Sequence, residues 1–200
     1  MNLTRRATLG AGLILAAAPA AAQVATDAAP PASDAAAWIA YEARLRARLA
    51  DGRFDAEGAL AALVATNAVR KAAGAPALEW HEELAVAARA HAADLAQRAY
   101  VEHLSPEGFD PSHRFWLLGR TTIGSPSENI AYHREAGPPA SAAQLLHQWR
   151  RSPGHWRNLL RASHTHAAYG MVRGRDRAWL VGLYARPLAT LPAPLPFHAQ

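Results

Sequence analysis

The chain has 200 residues, half of them hydrophobic and 18% charged, which suits one domain with its two ends. Its formal charge of +5 falls to +3 once Arg5 and Arg6 are set aside in a removable leader, and no basic cluster is interleaved with aromatics, so a nucleic-acid footprint is excluded. Cysteine is absent, which excludes disulfides, thiolate nucleophiles and cysteine-ligated zinc.

Residues 1–22 combine a basic start, a short apolar run from Ala7 to Ala18 and a small-residue exit at Ala20-Ala21-Ala22. That is the pattern of an export signal peptide, and the run is too short to span a membrane. Thr4-Arg5-Arg6-Ala7-Thr8-Leu9 resembles the twin-arginine export signal, which implies a bacterial protein; a general secretory signal carrying two arginines is the alternative. Either route ends in the periplasm or outside the cell. Residues 23–34, rich in Ala, Pro, Ser and Asp, read as a flexible linker.

Trp38, Tyr41, Leu45 and Leu49 recur at three- and four-residue spacing and predict an amphipathic helix over 35–52, packed on the domain or serving as a docking arm. A second helix spans about 55–73, with Leu60, Leu63, Val64 and Val69 inward and Gly74 ending it. A third runs from Trp80 to about Arg98, with Leu84, Val86, Ala88 and Leu95 inward. Asp110-Pro111 opens a short helix, Pro138-Pro139 precedes another ending near Arg151, and Ser152-Pro153 opens a last one ending near Arg161. Strands are predicted at 129–132, 167–172 and 178–184, with Gly174-Arg175-Asp176 turning the last two into a hairpin. Helices first and an antiparallel hairpin last make an α+β layered domain over 55–186, and 187–200 is a proline-rich surface tail.

Most of the ten histidines carry no chemistry. His81 begins a helix motif that lacks its second histidine, since Ala85 stands there. His164 and His166 alternate in a loop and read as surface polarity. Three segments stand apart: Tyr100-Val101-Glu102-His103-Leu104-Ser105-Pro106-Glu107-Gly108, Ser127-Glu128-Asn129-Ile130-Ala131, and Trp149-Arg150-Arg151-Ser152-Pro153-Gly154-His155-Trp156-Arg157-Asn158-Leu159-Leu160.

In order and wording these segments resemble the CAP superfamily, the cysteine-rich secretory, antigen 5 and pathogenesis-related-1 proteins, in its cysteine-free bacterial branch. The resemblance covers about residues 57–186. It implies a three-layer α-β-α sandwich with a short antiparallel sheet between helices and a central cleft lined by His103, Glu128 and His155. It also implies a divalent cation such as zinc in that cleft, with His103 and His155 as its ligands. Ser152 caps the last helix in this reading, and the positive helix end keeps His155 neutral, the form that binds metal. The family's second cleft glutamate is missing, since Ser141–Ser152 contains no acid and offers only His147 and Gln148. His91 is followed by Ala92 where this branch has serine. Plainer roles stand beside these: a loop hydrogen bond for His103, a cap or an arginine pair for Glu128, a turn for Asn129, and structural roles for Trp149, Arg157 and Asn158.

The first functional reading is an exported binding module for a small lipid-like, cell-wall or peptide ligand, with no nucleic acid and no membrane span after signal removal. The second is a metal-dependent, peptidase-like hydrolase with Glu128 as base; the lost acid and the lack of an activated nucleophile weigh against it. The third is an envelope interaction protein docking through Trp38–Leu49.

Overall fold

The computed structural model describes residues 35–119, 123–134, 140–186 and 188. The export signal, the linker, Pro138-Pro139 and most of the tail lie outside them. The elements run α1 (Ala35–Asp51), α2 (Ala56–Ala72), β1 (Glu79–Trp80), α3 (Glu82–Arg98), α4 (Pro111–Leu118), β2 (Ser127–Arg134), α5 (Ala142–Arg150), α6 (Pro153–Leu160), β3 (His166–Arg173) and β4 (Arg177–Ala185).

The four strands form one sheet in the order β1-β3-β4-β2. Period-two alternation divides its side chains between two cores. Ala131, Ala167, Tyr169, Met171, Leu180 and Tyr184 face α2, α5 and α6, with Trp149 at the centre. Ile130, Ala168, Trp179, Val181 and Leu183 face α3 and α4. The result is the expected α-β-α sandwich. The sheet is not wholly antiparallel, however, because β1 pairs with β3 in parallel. Trp80 closes that strand rather than opening α3, and β2 extends over eight residues where four were expected.

Helix α3 lies close on the sheet because it is built of alanine. Ala85, Ala88 and Ala92 are buried, and a Cβ on Gly170 of β3 would stand 2.3 Å from the Ala88 carbonyl group. Small side chains bury little area each, but they bring a helix axis near the strands and lengthen the contact. Helix α1 packs outside α3 through Tyr41 and Leu45, both buried, and Tyr41 stacks on Phe109 at 4.2 Å. It belongs to the body of the domain, not to a free docking arm.

Helix α2 faces inward differently from expectation. Leu60 and Val64 are 53% and 71% exposed, whereas Ala59, Ala62, Thr66 and Arg70 are buried. Polar anchoring outweighs the hydrophobic stripe: Thr66 accepts from Tyr169 Oη at 2.7 Å, and Arg70 donates to the carbonyls of Pro76 and Leu159, both at 2.7 Å. Arg70 thereby ties the end of α6 to α2. Val86 of α3 is likewise only half-buried. Asp55 caps α2 by accepting from Gly58 N at 2.8 Å and also pairs with Arg173 of β3 at 2.7 Å. Asp55→Ala should cost about 1 kcal/mol of stability, measured by urea unfolding, as an N-cap loss does.

Both sheet margins are partly covered. On β2, Asn158 Nδ2 donates to Glu128 O at 3.4 Å and Trp149 Nε1 to Ile130 O at 2.9 Å, so side chains occupy two carbonyls in the first half of the strand. On β3, the two-residue β1 covers one end, and an isolated bridge from Phe54 meets Val172 at the other.

Candidate functional site

The site gathers at the start of β2, where the two helical layers meet the sheet margin. Alternation sends Glu128 toward α3 and α4 and sends Ser127 and Asn129 toward α6. His103 comes from the loop between α3 and α4, and His155 from the first turn of α6. The His103 and His155 ring centroids are 6.5 Å apart.

Glu128 is 3% exposed and its carboxylate is fully engaged. His103 Nδ1 lies 2.8 Å from Oε1 and His91 Nδ1 2.9 Å from Oε2, while Arg114 Nη2 donates to both oxygens at 3.2 and 3.0 Å. Burial pushes the Glu128 carboxyl up, but the adjoining His91 and Arg114 and the two imidazole hydrogen bonds hold it well below the usual carboxylate range. An ionised carboxylate can only accept, so both histidines present Nδ1–H to it. His103 therefore keeps Nε2 as its unprotonated nitrogen whenever the ring is neutral.

Arg114 on α4 is the residue that sequence reasoning missed. It is 1% exposed and also donates to the carbonyls of Phe109 at 3.0 Å and His103 at 2.9 Å. One guanidinium thus holds both the carboxylate and the loop bearing His103. Asp110 positions it by capping α4: its side chain accepts from His113 N, and His113 Nδ1 accepts from Asp110 N. His91 was missed as a member as well. The available signal was a lone histidine on the inward face of α3, three residues after Ala88 and four before Leu95.

On the other side, α6 is set by a buried amide network. Asn129 Nδ2 donates to His155 O at 3.0 Å, and Asn158 Nδ2 donates to Asn129 Oδ1 at 2.9 Å. Ser127 Oγ donates to Asn158 Oδ1 at 2.7 Å and lies 3.2 Å from His164 Nε2. His164 is therefore no surface residue. It is 5% exposed, because the loop before β3 turns under the start of β2 and Arg70 holds its carbonyl. Ser152 makes no side-chain cap on α6, although Pro153 does occupy the first turn. Burial first, then the nearby His103, lowers the pKa of His155, so its ring is neutral at neutral pH. His147 is exposed and Gln148 is half-buried.

Neutral imidazoles are the form that ligates metal, and a carboxylate on the far nitrogen is the arrangement that orients such a ligand. His155 is such a neutral ring, and His103 has Glu128 on its Nδ1 side. Among the described residues, no three histidines or carboxylates are gathered for an ion. Beside His103 opens a cavity of about 450 Å³ lined by Tyr100, Glu102, Leu104, Ser105 and Pro106. Leu104 and Val101 stand 48% and 42% exposed at this loop.

The family described as the cysteine-rich secretory protein family, CAP, matches residues 63–184. The Bacillus subtilis protein YkwD, itself uncharacterised, is 31% identical over 110 residues, which are 54% of this chain and 39% of that protein. Two solved structures share the fold. An outer surface protein from Borrelia burgdorferi superposes with a TM-score of 0.59 at 17% identity, over 68% of this chain and 98% of its own. An extracellular SCP-domain protein from Bacillus anthracis gives 0.54 at 24% identity, over 65% of this chain and 40% of its own.

Proposed function

Because the chain belongs to the cysteine-rich secretory protein family, we propose that it is an exported binding module whose cleft holds a small ligand on the rings of His103 and His155. The observation that carries this reading is the environment of Glu128. A general base needs a pKa near the working pH and a free lone pair facing the substrate. Glu128 is held ionised by His91 and Arg114 and spends both oxygens on hydrogen-bond donors of the protein itself. Its role is to hold His103, which argues for binding over hydrolysis.

The ligand places an oxygen or nitrogen donor on the two rings and an apolar part over Leu104 and Val101, a chemistry that lipid-like, cell-wall and peptide molecules all offer. His103 Nε2 and a ring nitrogen of His155 would hold a zinc ion in the same place, with the ligand completing its shell. Such an ion supplies a Lewis acid that polarises a ligand oxygen. Export rests on the leader pattern and on the extracellular protein with the same fold. Among the described residues, no helix is long and apolar enough to cross a membrane.

Zinc added to the metal-free chain, followed by nitrogen shifts of the histidine rings, tests the reading. His103 and His155 should move together, and His103→Ala or His155→Ala should weaken that binding at least tenfold. Shifts that spare both rings would remove the metal assignment. Casein or peptide turnover that disappears in Glu128→Gln would replace the binding module with the hydrolase.

A further inference from the structure

We propose that α1, which precedes the residues matched by the family, positions the cleft: Tyr41 and Arg44 hold the loop that carries His103. This rests on His103 serving the cleft as described above. The loop runs from Ala99 to Asp110 and contains no helix or strand. Such segments move unless something ties them down. Part of the order here is internal. Ser105 N donates to Phe109 O at 2.9 Å, Gly108 N to Ser105 O at 2.8 Å and Phe109 N to Ser105 Oγ at 3.2 Å. Gly108 permits this closure with a φ of +88°, in the region that favours glycine. Residues 105–109 therefore form one tight unit that begins two positions after His103, so whatever fixes Glu107 and Phe109 constrains where the chain places that ring.

Helix α1 fixes both. Trp38, Tyr41, Arg44 and Arg48 fall at three- and four-residue spacing, so they share one side of the helix. The Phe109 ring is stacked on Tyr41, 5° from parallel, and meets the Trp38 ring edge-on at 4.9 Å. Phe109 is fully buried, and its carbonyl accepts from Arg114, the same guanidinium that holds His103 O. Arg44 pairs with Glu107, which takes a second bond from Arg98 at 3.1 Å. At the start of the loop, Tyr100 Oη donates to Asp94 at 2.8 Å, and Arg48 of α1 donates to the same carboxylate at 3.1 Å. One helix thus grips the loop near its beginning, at Glu107 and at Phe109. These contacts act on His103 through the loop, which makes Tyr41 and Arg44 positioning residues. The two differ in kind. Tyr41 is buried and belongs to the core, whereas the Arg44–Glu107 pair is about one-third exposed and adds little to global stability. Changing Arg44 can therefore loosen the loop while the fold stays intact.

The test reads amide hydrogen exchange and histidine ring-nitrogen spectra on the full, metal-free chain and on Arg44→Glu, Tyr41→Leu and a control, Arg46→Glu. Arg46 pairs with Glu42 inside α1, so the control makes the same charge change on the same helix away from Glu107. Arg44→Glu should speed exchange of the Gly108 and Phe109 amides about tenfold and shift the His103 ring nitrogens, with urea unfolding matching the control. Arg44→Lys should restore both signals. Tyr41→Leu should show the same loop changes on top of a loss of global stability. Zinc affinity at the cleft should fall about three- to tenfold in Arg44→Glu, because a looser loop must be ordered on binding. Loop exchange and His103 signals unchanged in both Arg44→Glu and Tyr41→Leu, or changed as much by Arg46→Glu, would overturn the role of α1. Neither readout needs zinc, so a parent chain that binds none would count against the reading of the cleft and leave the result for α1 standing.

Discussion

Replacing Arg114 with methionine should destabilise the protein by about 3–5 kcal/mol at pH 7, the range found when one partner of a buried ion pair is removed. The loss has two sources. Glu128 remains buried with its charge facing only two imidazoles, and the Phe109 and His103 carbonyls lose their shared donor. The first source vanishes if the carboxylate goes too. Arg114→Met combined with Glu128→Leu should recover a large part of the stability, while the loop bearing His103 stays loose. Urea unfolding of the two single variants and the double variant measures the coupling. A loss below about 1 kcal/mol in Arg114→Met would mean that the pair does not hold the site together.

Lowering the pH from about 6.5 to about 4 should remove stability on the order of 3 kcal/mol through His164 alone. Burial, reinforced by Arg161 and Arg70, brings this imidazole down to about 4. Between that value and the ordinary histidine value the unfolded chain binds the proton and the folded chain does not, so stability rises with pH across the window. His91 and His155, both lowered chiefly by burial, add to the slope in the same direction. Glu128 does not contribute there. Its depressed carboxyl supplies stability above the unfolded glutamate value and loses it only at more acid pH. His164→Gln should flatten the curve between pH 6.5 and 4, and unfolding free energies at four pH values would show it. An equally steep curve in that variant would move the effect to the other two rings.

The layers of the fold were legible because helical spacing and strand alternation carry over long runs. Strand β1 was not, because two residues have no period and exist as a strand only through their partner on β3. Hydropathy also fails where the buried groups are polar. Ser127, Glu128 and His164 look like surface residues and are buried in hydrogen-bonded networks that no local pattern announces. The same cause turned α2, where Thr66 and Arg70 override the Leu60–Val64 stripe. At the site, His103 lies next to both Glu128 and His155. That Glu128 could pair with an arginine was readable, but which one was not. Arg114 is 14 positions away on a different element, and only the packing of α4 against β2 brings the two together.

The partly covered margins of the sheet bear on what happens when copies of this chain crowd one another. An unpaired strand edge can template another chain and begin fibril growth. Here an incoming segment would first have to evict Trp149 and Asn158 from the β2 carbonyls. At the opposite side it would find β1 and Phe54 already in place. The same Asn158 that sets α6 beside the cleft also occupies one carbonyl of that edge, so an Asn158→Ala chain that still unfolds cooperatively in urea should show faster growth of light scattering than the parent chain.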